Sequence, residues 1–234
     1  LLMVSDPYVD IYKFQEYSNR GSASVLDQSG QTDTGTKWDY ATQWSFHPKE
    51  MISFIFPYHF GLQNTSNLSE GAYWGFMPFT QSTHYVGLVA FIFAILGVTL
   101  KRPERLEKIF WAITILTIIT GFGSFFSALY KPFYLFLPFF SKFRIPSMIY
   151  ILLSITIPIL ASKGLDTFLE VYKDAHKRRY IFYILGSLLL LSLFFFLVGD
   201  LFFSFSTSGD LRYDPVTISK IRSARIDLFN KGLI

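Results

Sequence analysis

The twelve residues DYATQWSFHPKE, Asp39 to Glu50, put two carboxylates and a histidine among aromatic rings. Carboxylates such as Asp39 and Glu50 can serve as general bases, hold a divalent cation, or pair with Lys or Arg. The plainer alternative is solvation or an ion pair, Glu50 with Lys49 or with Arg144. His47 and His59 are separated by Pro48 and Pro57 at a spacing that fits no zinc site. His47 reads instead as a hydrogen-bond donor fixing its loop, or as a polar contact to an anionic ligand. Trp38, Tyr40 and Trp44, then Tyr73 and Trp74, are rings that can stack on sugar faces or form a belt at a membrane surface. Arg144, in KFRIPS, stands just before an apolar run. An arginine near a helix N-terminus can bind phosphate bidentately, or it can snorkel to lipid headgroups. No GxGxxG, P-loop, HExxH or GxSxG occurs in the sequence, so nucleotide-driven chemistry has no support here.

The elements that would position these residues are membrane elements. The 234 residues are 51% hydrophobic and only 16% charged, against roughly 25% charged in a soluble domain. The apolar residues gather in long runs after residue 83, which predicts spans rather than a soluble core. The expected fold is an all-α integral membrane protein with about four transmembrane helices. The predicted spans are 85–100 (extendable back through Phe79), 109–130, 145–162 with Pro158 inside, and 180–203. Residues 1–82 read as an extracytoplasmic region with short or interfacial helices, and 204–234 as an outward juxtamembrane tail. Within 1–82, the Gly/Ser/Thr/Asp-rich stretch 19–39 reads as loop, and EMISFIFPYHFG (50–61) is too short to span and reads as interfacial or re-entrant. NTSNLS (64–69) carries two N-x-S/T sequons, of use only to a host that glycosylates asparagine.

Orientation follows from Lys and Arg in the loops. Lys101, Arg102, Arg105 and Lys108 crowd one short connection, and Lys163, Lys173, Lys177, Arg178 and Arg179 another. The positive-inside rule puts both in the cytoplasm and turns 1–82, 130–144 and the tail outward, although the tail is itself basic. The segment 130–144, YKPFYLFLPFFSKFR, is aromatic and apolar and should lie at the interface or dip into the membrane. The net charge of +4 then reports loop bias and headgroup contact, not nucleic acid. No cysteine is present, so disulfides and thiolate metal sites are excluded. No signal peptide is legible, and the start at Leu1 suggests an internal fragment.

Three blocks in order, DYATQWSFHPKEMISFIFPYHFG (39–61), YWGFMPFTQSTHYVG (73–87) and LFLPFFSKFRIPSMI (135–149), resemble the YfhO family of bacterial multi-pass membrane proteins over most of residues 38–165. YfhO-type proteins look like GT-C glycosyltransferases. The resemblance implies transfer of a sugar from a polyprenyl-phosphate donor to a cell-envelope polymer, on the outer face of the bacterial cytoplasmic membrane. It also implies that the main catalytic carboxylate lies upstream of this chain, leaving Asp39 and Glu50 in supporting roles. Tyr40, Trp44, His47, Tyr73, Trp74 and Arg144 become the candidate substrate contacts, Arg144 toward the donor phosphate, with a divalent cation as a conceivable cofactor. The alternatives are a transporter or flippase for lipid-linked sugars, or a non-catalytic membrane scaffold.

Overall fold

A computed structural model describes residues 9–11, 13–14, 38–62, 72–78, 80, 83–138 and 140–233. The sequons at 64–69, the loop reading of 19–37 and Phe79 lie outside these residues. The described residues are all-helical, with no strand. The main helices are α1 (Trp38–Ala41), α2 (Leu88–Leu100), α3 (Arg105–Gly121), α4 (Ser127–Phe136), α5 (Leu153–Tyr172), α6 (Ala175–Phe202) and α7 (Pro215–Leu233). The chain divides into two compact units. The first comprises residues 1–46 and 119–148, the second 47–118 and 149–234.

The predicted span 109–130 is not one helix. α3 ends at Gly121, and a short 3-10 turn, Gly123–Phe126, leads into α4. The cause is local. Gly123 has φ +51°, and a Cβ there would overlap Ser45 Oγ. Backbone groups freed at the break find partners in the segment after α1. Phe46 N–H donates to Gly121 O at 3.0 Å, and Ser124 N–H donates to Ser45 Oγ at 2.9 Å. A helix can break without loss when its freed groups are satisfied this way. The segment 130–144, expected at an interface, continues α4 as far as Phe136 with Pro132 inside it. Its rings close on α1, with Trp38 edge-on to Tyr134 at 5.3 Å and Tyr130 edge-on to Phe140 at 5.2 Å.

In the second unit α2 and α5 pack through glycines. A Cβ on Gly164 would overlap the Phe93 carbonyl, and one on Gly97 would sit 3.0 Å from Gly164 Cα. Such close approach needs small residues at the crossing. Beside it Leu96, Val171 and Ile181 form a core, with Phe93 and Phe168 against them. The predicted span 145–162 is too short at its far end. A 3-10 turn, Pro146–Leu152, runs into α5, which continues to Tyr172 and so absorbs much of the predicted loop 163–179. α6 starts at Ala175, five residues before the predicted 180–203. The segment after Glu50 is a 3-10 helix, Pro48–Phe54, followed by turns.

The expected tail is folded. Thr207 and Asp210 form a capping box on a 3-10 turn, Ser208–Arg212. Asp214 then caps α7, accepting from Val216 and Thr217 N–H at 3.1 Å, with Pro215 opening the helix.

Among the described residues one helix, Pro146–Tyr172, is long and apolar enough to cross a membrane. α2 is apolar but shorter.

Candidate functional site

The sequence-predicted residues fall into two clusters, one in each unit. Asp39, Tyr40, Trp44 and Arg144 belong to the first unit, His47, Glu50, Tyr73 and Trp74 to the second.

In the first unit, side-chain hydrogen bonds curl the chain after α1. Thr42 Oγ1 donates to Trp38 O at 2.8 Å, and Ser45 Oγ donates to Thr42 O at 2.6 Å. This turn carries Tyr40, Gln43 and Trp44 to Arg144. The guanidinium carbon lies 4.0 Å from the centre of the Tyr40 ring and 4.3 Å from that of Trp44. Its Nη2 donates to Gln43 Oε1 at 3.0 Å, while its buried Nε has no hydrogen-bond partner. Among the described residues no carboxylate pairs with it. Two rings and an amide therefore hold the plane of a cation whose charge is not neutralised. Asp39 is exposed on α1. Gln43 was not singled out from the sequence, because a lone glutamine carries no spacing signal.

In the second unit Glu50 is only 2% exposed. Among the described residues its partners are neither Lys49 nor another cation. Oε2 accepts from Tyr73 O–H at 2.9 Å, and Oε1 accepts from Phe76 N–H at 2.8 Å. Tyr73 Oη in turn accepts from Met77 N–H at 2.9 Å. Burial raises the Glu50 carboxyl above its usual range, against the opposing pull of these two hydrogen bonds. Burial, with the Glu50 charge second, raises the Tyr73 phenol as well. The geometry is that of a latch fixing 73–77 onto the 3-10 helix.

His47 Nδ1 accepts from Lys49 N–H at 3.1 Å and caps that 3-10 helix. Its ring stacks on Phe76 at 3.7 Å, and burial followed by the Lys49 charge lowers its pKa.

Trp74 lies 5.7 Å from His59 and 5.3 Å from Phe205, ring centre to ring centre. Phe203 and Phe229 meet His59 edge-on at 4.6 and 5.2 Å. His59 is 2% exposed, and burial lowers its pKa to about 4, so it sits neutral among rings.

Beneath this cluster is an ion pair that the sequence did not announce. Arg225 is 1% exposed and donates from Nη1 to Asp210 Oδ2 at 2.7 Å and from Nη2 to Oδ1 at 2.8 Å. Nη1 also donates to the carbonyl of Phe205 at 2.8 Å. Phe205 has φ +48°, a strained conformation for a side-chain-bearing residue, and this bond helps hold it. Burial alone would raise the Asp210 carboxyl, but the bonds from Arg225 and Thr207 hold it below the usual range.

Among the described residues no group of three or more His, Cys, Asp or Glu could hold a metal ion. No known protein family, curated protein or solved structure matches this chain.

Proposed function

We propose that this chain is part of a multi-pass membrane glycosyltransferase of the GT-C type. In this reading Arg144 binds the phosphate of a polyprenyl-phosphate sugar donor at the outer face of a bacterial cytoplasmic membrane, and a cell-envelope polymer accepts the sugar. The single observation carrying the chemistry is the bracketed Arg144, a planar cation held by Tyr40, Trp44 and Gln43 and paired with no carboxylate among the described residues. A pre-oriented guanidinium suits bidentate binding of a phosphate better than a mobile ammonium does. The family reading rests on the three sequence blocks.

Support for the membrane comes from an inverted helix. α3 buries Thr114, Thr117 and Thr120 and exposes Leu106, Ile109, Ile113, Ile115 and Leu116. A helix facing water does the reverse. α6 likewise exposes Leu189, Leu190, Leu193, Phe194 and Leu197, more apolar surface than a water-facing helix presents. Lipid against these faces is the simplest account, with α2, α3, α5 and α6 supplying the four spans.

The test uses full-length protein in membranes given labelled polyprenyl-phosphate sugar. Arg144→Ala should lower sugar transfer about 10- to 100-fold, the scale of a lost charged hydrogen bond. Arg144→Lys should retain part of the activity. Unchanged transfer in a folded alanine variant would remove the phosphate role. Label that crosses the membrane but never leaves the lipid would favour a flippase.

A further inference from the structure

Three helix ends meet at one end of the second unit. α2 and α5 lie side by side through Gly97 and Gly164 and stop together, where Lys101 Nζ meets Glu170 Oε2 at 3.3 Å. α6 starts beside them, its Ile181 sharing a core with Leu96 and Val171. Between the last residues of α2 and the first turns of α6 is a cleft of about 290 Å³, lined by Thr99, Leu100, Tyr180, Tyr183 and Ile184. That is the volume of about ten waters, room for a phosphate and its glycerol.

Leu100 and Ile184 give the cleft apolar wall, and Tyr180 and Tyr183 bring phenol hydroxyls. The Thr99 hydroxyl is used within α2, donating to Ile95 O at 2.9 Å. Cations flank the cleft on both sides. Lys101 and Arg102, both exposed, directly follow Leu100. Arg179 directly precedes Tyr180, its guanidinium carbon 5.3 Å from the centre of that ring. Arg178 falls on the opposite side of α6 from Tyr180 and lies over Tyr172 at 5.6 Å. Residues 99–103 and 170–184 carry six cations against two carboxylates, Glu170 and Asp174. The Lys101–Glu170 pair is more than half exposed, so it contributes little and can be exchanged for another anion.

On the membrane reading above, depth selects the partner. From Tyr180 to Phe202 α6 is about 33 Å long at about 1.5 Å per residue, enough to cross a hydrocarbon core of about 30 Å. Tyr180 then stands at headgroup level, where tyrosines gather, with the cations beyond it. Leu190 and Phe194 follow Tyr183 on the same helix face, and both are exposed toward the hydrocarbon.

We propose that this cleft binds the headgroup of an anionic phospholipid, its phosphate among Lys101, Arg102 and Arg179 and its acyl chains along Leu190 and Phe194. The cations select the charge, the phenols hydrogen-bond the phosphate, and the apolar stripe takes the chains. The proposal rests on the membrane reading, but not on Arg144 or on sugar transfer.

The experiment takes full-length protein from its membranes in mild detergent, removes lipid, and compares uptake of phosphatidylglycerol and phosphatidylcholine by native mass spectrometry. Wild-type protein should prefer phosphatidylglycerol. Thr99→Trp, which fills the cleft from an exposed position, should lower uptake about tenfold or more. Arg102→Gln and Arg179→Gln should each lower the preference about fivefold, the scale of one cation at an anionic surface. These surface changes carry the test should Thr99→Trp misfold. Arg178→Gln should change the preference by less than about twofold.

Undiminished uptake in folded Thr99→Trp would overturn the site. So would equal uptake of the two lipids, or a loss in Arg178→Gln as large as in Arg179→Gln, the mark of a diffuse basic surface. Alkaline extraction of the membranes separates the two readings. Protein released by alkali defeats the membrane reading itself, whereas protein that stays but shows no lipid preference defeats only the cleft.

Discussion

Arg144 and Arg225 are the same side chain placed under opposite rules. Arg144 lies in the first unit against Tyr40 and Trp44, with an amide for company and no paired acid among the described residues. Arg225 lies in the second unit, sealed, with both nitrogens on Asp210. A buried cation must be paired, and here the pairing uses its charge completely. A cation on ring faces keeps most of its charge for something else. Arg225 is therefore a structural device, and Arg144 is the better place to look for a ligand. Glu50 and His59 fall on the structural side, since both are buried and both are held.

The sharpest way to break this contrast is to truncate each arginine and measure unfolding of the purified full-length protein. Arg225→Ala leaves Asp210 buried and unpaired and removes the donor to the strained Phe205 carbonyl, so about 3–5 kcal/mol should be lost. Asp210→Ala should cost a similar amount. Arg144→Ala should cost about 1–2 kcal/mol, since only two ring contacts and one amide bond go. Equal destabilisation at the two positions would erase the distinction.

His59 gives the next largest effect, and it has a sign. Its folded pKa is lowered to about 4 from 6.5, so the unfolded chain binds the proton first as pH falls. Its contribution is full above pH 6.5 and is lost as pH falls toward 4, by up to about 3 kcal/mol. His59→Leu should flatten that part of the stability profile. Glu50 acts the other way. Its folded pKa is raised, so stability falls as pH rises from its unfolded value through the folded one. Glu50→Gln should remove this slope while keeping an acceptor for Phe76 N–H. Glu50→Ala, which strands the Tyr73 hydroxyl and that amide, should cost about 2 kcal/mol by thermal unfolding.

The helices were legible in the sequence because long apolar runs announce them, but their ends were not. The break at Phe122 depends on Ser45 and Phe46 arriving from far along the chain, and no local pattern in 109–130 reveals that. α5 runs past Ser162 because Gly164 packs on α2, a tertiary reason invisible to a hydropathy window. α7 did have a signal. Asp214 followed by Pro215 is a helix start, and the basic residues around it drew attention to charge instead. Within the site, Arg144, Tyr40 and Trp44 could each be named from residue type, but only the fold brings the three together. Glu50 looked reactive because a carboxylate's burial cannot be read from its neighbours in sequence.

The smallest effect tests what the two rings are for. Each Arg144–ring contact should contribute about 0.5–1 kcal/mol at a partly exposed site, so Tyr40→Leu and Trp44→Leu should each lower sugar transfer only about two- to fivefold. The sign of the coupling matters more than the size. If the rings act by bracing the guanidinium, Tyr40→Leu should have no further effect once Arg144 is alanine, because there is no plane left to hold. If Tyr40 or Trp44 instead stacks on the sugar itself, its loss should cost the same factor in either background. On the proposed glycosyltransferase reading, the double-mutant cycle, read as kcat/KM for the labelled donor, therefore decides whether the bracket would be one phosphate site with two supports or a phosphate site and a sugar site side by side.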